Sequence, residues 1–267
     1  MIRHAICFLI AVLILSGCST TRRGGYYQDD GPHTRTPSNL SEVKEPVPVD
    51  EPLSKSGNKP YVVFGKTYYP LMHAQGYRKK GVASWYGKKF HGKPTSSGER
   101  YNMYKMSAAH KTLPLPSFAR ITNLKNDKSI IVRVNDRGPF LHNRLIDLSY
   151  AAADRLGIIK TGTGLVEVEA LTADTGTTTT IDTPVAAHTD ARLFLQVGAF
   201  GERSNALRMK QVLQDMQIPS VFIQDISDNQ HGVFRVRIGP LQNIAESDRI
   251  SERLRSQGIR EAHIIVE

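Results

Sequence analysis

Two adjacent runs in the middle of the chain set its pattern. "SFARITNL" (117–124) and "SIIVRVN" (129–135) each place apolar residues at every second position or in short continuous runs, as strands do. Asn126-Asp127 between them supplies the tight turn of a hairpin. "GVASWYG" (81–87) and "GLVEVEAL" (164–171) read as two more strands, and one helix is predicted from Ser149 through "YAAADRLG", stopped by Gly157. Several short strands and one helix within residues 76–171 predict a small β-barrel.

The C-terminal region, 190–267, repeats itself with a period of 41: Val197-Gly198 answers Ile238-Gly239, Leu213 answers Leu254, and Ile218 answers Ile259. Each half reads strand, helix, strand. Leu193, Leu195 and Val197 alternate, and Ala206, Met209, Leu213 and Met216 follow at helical spacing. The second half gives "VFRVRIG", a helix near 245–257 stopped by Gly258, then "AHIIV". Two such halves predict a split βαβ domain, an antiparallel sheet with both helices on one face. Gln196, Arg235 and Arg237 alternate with the buried positions and are expected on the other, free face, with Phe200 and Phe234 nearby.

The remaining segments lack such patterns. Residues 5–15 form an apolar run too short to span a bilayer, and with the basic start they fit a signal peptide over 1–17. The mature chain then keeps the single Cys18 and forms no internal disulfide. Residues 18–60, rich in Ser, Thr, Pro, Gly and charge, predict a disordered tether. Residues 61–75 are an apolar stretch expected to fold onto the barrel, and 172–189, rich in Thr, a flexible linker.

Charge separates the two domains. Residues 54–171 carry 20 Lys and Arg against 7 Asp and Glu, whereas 190–267 carry 10 of each. A basic core suggests an anionic partner. Nucleic acid is disfavoured by export, and no nucleic-acid-binding motif is present.

Few carboxylates in the core are candidates for chemistry. Asp127 lies in the turn, Asp154 on an exposed helix face, and Glu167 and Glu169 alternate outward on a strand. Asp147 precedes the helix and is expected to cap it. Glu99, after "TSSG", and Asp136, in "VRVNDRGPF", sit where loops gather. His110 is a third polar residue in an apolar stretch. Each has a plainer reading: Asp136 pairing with Arg133 or Arg137, and His110 as a core histidine. No Cys and no His-x-x-x-His spacing suggests a metal site here.

Two resemblances sharpen this reading. "LQVGAF" and "FRVRIGPL" resemble the SPOR domain, which implies binding of septal peptidoglycan, with preference for glycan strands stripped of stem peptides. "GVASWYGKKFHGKPTSSGERYNMYKMSAAHKTLPLPSFARITNL", "VRVNDRGPF" and "RLIDLSYAAADRLG" resemble the rare lipoprotein A family. That resemblance implies a double-psi β-barrel and a lytic transglycosylase forming a 1,6-anhydro-muramic acid product without a cofactor. Its active-site residues fall on Glu99, His110 and Asp136, with Asp136 as general acid and Asp147 the runner-up. Arg133 and Arg137, if turned to the surface, would contact the lactyl carboxylate of muramic acid. One departure from that resemblance is Ser96 and Ser97, where relatives often have Ala-Asn or Ala-Ser before Gly-Glu. "LSGC" resembles a lipobox, which implies acylation at Cys18, a lipid anchor in the outer membrane facing the periplasm, and the division machinery as a partner. The alternative function is a non-catalytic, glycan-gripping septal scaffold.

Overall fold

The computed structural model describes residues 30–34, 36–37, 39–140, 143–173, 191–226 and 232–267. The signal segment, Cys18 and nearly all of the linker lie outside the described residues.

Six strands close into a barrel: β3 (Arg78–Tyr86), β4 (Ser107–His110), β5 (Ser117–Asn123), β6 (Ser129–Asp136), β7 (Ile146–Ser149) and β8 (Gly164–Leu171). Their order round the barrel is β3-β7-β4-β6-β5-β8, with β3–β7 and β4–β6 parallel and the other neighbours antiparallel. This is the double-psi barrel. Inward positions of the long strands (Ala83, Ile121, Ile130, Val132, Val134, Val166 and Val168) are buried and form the core. The helix follows as read: α1 (Tyr150–Leu156) ends on Gly157, whose φ of 79° is left-handed. Its cap is Ser149, not Asp147, because Ser149 Oγ accepts from Ala152 N at 3.2 Å while Asp147 lies buried within β7.

The expectation of a disordered tether through residue 60 is overturned from residue 39 on. Residues 39–60 form an extended strap bonded to the barrel. Glu45 accepts from Ile131 N at 2.8 Å, Ser54 N donates to Leu115 O at 2.8 Å, and Asn58 exchanges two bonds with the Leu115 backbone. The segment has no core of its own, yet its carbonyls, amides and carboxylates satisfy polar groups of the barrel. The strap runs into a hairpin, β1 (Tyr61–Val63) and β2 (Lys66–Tyr68), where Tyr61 and Tyr68 stack at 5.2 Å against Phe140.

The C-terminal domain has the split βαβ plan. β9 (Leu193–Phe200) and β11 (Phe234–Leu241), and α2 (Arg203–Asp215) and α3 (Ile244–Ser256), are the same elements displaced by the repeat. With β10 (Val221–Asp225) and β12 (His263–Val266) they form an antiparallel sheet ordered β10-β11-β9-β12. Leu195, Leu213, Ile238 and Leu254 fill the core beneath the helices.

Candidate active site

Asp136 owes its position to a bulge. β4 and β6 pair Ala108 with Val134, but Ala109 with Asp136, so Asn135 is the extra residue and β6 bends there. Ala109 is also opposite Asp147 on β7, and Asp147 is opposite Ser84 on β3. Ser84, Asp147, Ala109 and Asp136 therefore form one row across four strands, with only a methyl group between the two carboxylates.

The two carboxylates have different surroundings. Asp136 is half-buried at the mouth of the barrel. Its Oδ1 accepts from Ser96 N at 2.8 Å, Ser96 Oγ at 2.7 Å and Arg137 N at 2.8 Å. Its Oδ2 makes no hydrogen bond among the described residues, so the side chain is fixed by one oxygen. Asp147 is buried, accepts from the Ser84 hydroxyl, and has its pKa raised to about 6 by burial against the opposing pull of Ser84, Arg144 and Lys111. The protonation is suited to acid work near neutral pH, but the carboxyl is buried.

Glu99 is brought beside Asp136 by the loop 95–99: Thr95 N donates to Glu99 O, and Ser97 N to Asn135 O. Arg133 Nη1 donates to both Glu99 oxygens at 2.6 and 2.7 Å, and Asn135 Nδ2 donates at 2.9 Å. Burial alone would raise the Glu99 pKa, but Arg133, Asn135 and Ser97 outweigh it and hold Glu99 below its ordinary value, ionised.

Neither arginine is free for substrate, which corrects the surface reading of the pair. Arg133 turns its Nε and Nη2 to Glu51 of the strap at 2.9 and 2.6 Å while Nη1 holds Glu99. Arg137 donates to Gly57 O from Nε and Nη2, to His110 O and Leu113 O from Nη1, and to Asn58 Oδ1 from Nη2. All five of its N–H groups are thus engaged. Its bond with Asp136 is through the backbone amide, not the guanidinium.

His110 does not reach the cleft. It is buried, its Nδ1 accepts from Thr112 N and Leu113 N at 3.1 and 2.9 Å, and Nε2 meets the Tyr77 hydroxyl at 2.9 Å. Burial, reinforced by Lys111, Arg137 and Lys79, lowers its pKa to about 3, so it is neutral. Its bonds to the 112 and 113 amides tie it to the loop whose carbonyls Arg137 contacts.

Sequence reasoning missed Ser96 as a ligand of Asp136, and missed Glu51 and Asn58 because the strap reads as tether. The available signal was the pair of hydroxyls in "TSSG", immediately before Glu99. Beside Asp136 lies a cavity of about 300 Å³ lined by Gly57, Lys59, Tyr61, Ser96, Arg137 and Phe140.

On the C-terminal sheet the expected free face is only partly open. Arg237 is 2% exposed and donates to Glu267 at 2.6 Å and to Gln196 at 3.4 Å, so it is a buried structural cation, not an open contact. Gln196 and Arg235 remain half-exposed, and Phe200 is half-buried, packed on the domain core with its ring over Gly198.

The chain thus joins a closed double-psi barrel with clustered acids at one mouth to a split βαβ domain. Residues 78–169 match the family model described as "Lytic transglycolase", and 190–265 match the SPOR domain. The chain is 40% identical to the endolytic peptidoglycan transglycosylase RlpA of Vibrio cholerae, over 96% of this chain and 95% of that one. It is 37% identical to the protein of the same name from Pseudomonas aeruginosa, over 96% and 94%. The crystal structure of the RlpA SPOR domain from Pseudomonas aeruginosa is 32% identical, covers 27% of this chain and 96% of that one, and has a TM-score of 0.26. The chain belongs to the RlpA family, and its barrel is a lytic transglycosylase domain.

Proposed function

We propose that this chain cleaves peptidoglycan glycan strands lacking stem peptides, with Asp136 as general acid and a 1,6-anhydro-muramic acid end as product. The observation that carries this reading is the half-tethered Asp136 carboxyl: Oδ1 is held by three donors and Oδ2 has no hydrogen bond among the described residues, while Ser96 and Arg137, which hold Oδ1, line the adjoining cavity. Protonated Oδ2 gives its proton to the bridging oxygen as the C1–O bond breaks, leaving a cationic muramic ring. The 6-hydroxyl of that ring attacks C1, and the Asp136 carboxylate takes the hydroxyl proton. The acid is thereby restored and no water is consumed, so one carboxyl serves in both halves of the reaction. Ionised Glu99 supplies negative charge near the developing cation. His110 and Asp147, both buried, are assigned to holding the shape of the site.

The half-exposed Gln196, Arg235 and Phe200 of the SPOR domain are proposed to hold the same polymer, and the linker raises its concentration near the barrel. Cys18 is proposed as the lipid-bearing residue that anchors the chain to the outer membrane facing the periplasm, near the division machinery.

The test uses the soluble chain from residue 19 with peptide-free strands, read by mass spectrometry beside Asp136→Asn. Anhydro-ended products, lost in the variant, are expected. Reducing-end products would mean hydrolysis with a second carboxylate. Binding without products would leave a non-catalytic scaffold.

A further inference from the structure

Between Glu51 and Glu99 the chain contains no carboxylate. Residues 52–98 carry nine Lys and Arg and no Asp or Glu. This stretch includes the end of the strap, the β1–β2 hairpin and β3, so one side of the Asp136 cavity is built entirely from acid-free sequence. Tyr61 and Val63 line the cavity, together with Lys59. The hairpin is held firmly there: the Tyr61 hydroxyl donates to Lys111 O at 2.8 Å, and Leu71 N to Thr112 O at 2.7 Å. Its outer surface is apolar and solvent-facing, with Val62 64%, Phe64 82%, Tyr69 68% and Met72 80% exposed. Lys59 and Lys66 are exposed and make no ion pair among the described residues.

Lys66 Nζ lies 5.8 Å from the centre of the Tyr68 ring, and aromatic rings beside cations without ion pairs suit a polymer that offers both sugar faces and negative charge. A neutral sugar chain gains nothing from the lysines. On the glycan backbone of peptidoglycan the negative charge depends on processing. The lactyl group of muramic acid ends in an amide while it carries a stem peptide, and in a free carboxylate once the peptide is removed.

We infer that the β1–β2 hairpin, with Lys59 and Lys66, forms a subsite next to Asp136 that reads the free lactyl carboxylate of a peptide-free strand. The inference rests on the proposed function and deepens it. Selection for stripped strands then resides in the barrel as well as in the SPOR domain. The Tyr61 and Phe140 rings seat the sugar beside Asp136, and the lysines draw in the carboxylate of the muramic residue. Because both cations are exposed, each contributes modestly and the effect weakens with salt.

The test compares the soluble chain from residue 19 with Lys59→Gln/Lys66→Gln on two substrates. One is peptide-free strands; the other is the same strands with lactyl carboxylates capped as methylamides. KM for cleavage and co-sedimentation with the strands are both read. For the unaltered chain, capping should raise KM by about three- to tenfold at low salt. The double variant should show a similar rise on uncapped strands and no further rise on capped ones. Equal KM for capped and uncapped strands overturns the inference, as does a variant that loses the same factor on both. A chain that cleaves nothing, yet binds uncapped strands more tightly through the two lysines, keeps the subsite and removes only the catalytic reading. Loss of binding to phosphatidylglycerol vesicles, with strand binding unchanged, assigns the hairpin to a lipid surface and overturns the inference.

Discussion

Asn58→Ala is the sharpest probe of the strap, because one side chain there replaces a stretch of backbone pairing. Asn58 Nδ2 donates to Leu115 O at 2.7 Å and to Ser54 O at 3.0 Å, and its Oδ1 accepts from Leu115 N at 2.8 Å. Leu115 is completely buried. In the variant, Leu115 O keeps the Ser54 amide at 2.8 Å, but Leu115 N–H loses its acceptor. A buried donor left unpaired costs about 1–3 kcal/mol, and the two lost half-exposed bonds, to Leu115 O and Ser54 O, about 0.5–1 kcal/mol each, giving about 2–5 kcal/mol in all. At about 2–4 °C per kcal/mol that corresponds to a fall in Tm of about 4–20 °C. Asn58→Asp should fall in the same direction, since a carboxylate oxygen would then face Leu115 O.

The chain contains one tryptophan, Trp85, buried in β3. Urea unfolding followed by tryptophan fluorescence therefore reports the barrel and not the SPOR domain. Native-state hydrogen exchange at Leu115 N–H supplies a local readout, with protection expected in the unaltered chain and lost in the variant. A change below about 0.5 kcal/mol, with Leu115 exchange unaltered, would refute the docking of the strap. The tether reading of residues 39–60 would then stand.

Two further outcomes follow from buried charge. Asp147→Asn should stabilise the barrel by about 1–3 kcal/mol at pH 8, because the buried carboxyl, raised from 3.8 to about 6, is charged there at a cost. The gain should shrink as pH falls from 6 to about 4, where the native carboxyl is already protonated; a gain that grows toward acid in urea titrations refutes the burial argument. Arg237→Ala should lower the stability of the SPOR domain by about 1–3 kcal/mol, discounted because Glu267 is 40% exposed. Far-UV circular dichroism should show the loss while the Trp85 transition stays fixed; normal melting with abolished glycan binding would return Arg237 to the binding face.

What the sequence made legible tracks how local each signal is. The C-terminal repeat was plain because every element carries its own periodicity, and α2 and α3 reappear in register. Long barrel strands such as Ser117–Asn123 were plain for the same reason. β4 and β7 were not: "SAAH" and "IDLS" are buried at all four positions, so no alternation marks them, and only pairing across the barrel makes them strands. Glu99 and Asp136 stood out by elimination. The bulge at Asn135 that aims Asp136 could not, since it exists only in the pairing of β4 with β6. The strap was illegible for a further reason. Ser, Gly, Asn and Pro are the residues of tethers, and here the same residues provide backbone carbonyls and short amides to a preformed barrel.

The two arginines around Asp136 gain their meaning from that strap. Set beside a general acid, they look like partners for it, but neither guanidinium donates to Asp136. Arg133 joins Glu51 of the strap to Glu99 of the 95–99 loop, and Arg137 joins Gly57 and Asn58 of the strap to the loop after β4. Arg137 is a cation bonded wholly to neutral oxygens, and burial lowers its pKa to about 10, against the opposing pull of Tyr61 and Asp136. Holding such a group requires that each carbonyl stay in place, so the strap, the 110–115 loop and the Asp136 turn are fixed together. The site is thus assembled from segments far apart in sequence. One of them, residues 39–61, lies before the family match that begins at residue 78. A barrel trimmed to that match would retain Asp136, Glu99 and His110 but lose Glu51, Gly57 and Asn58, the partners that orient both arginines.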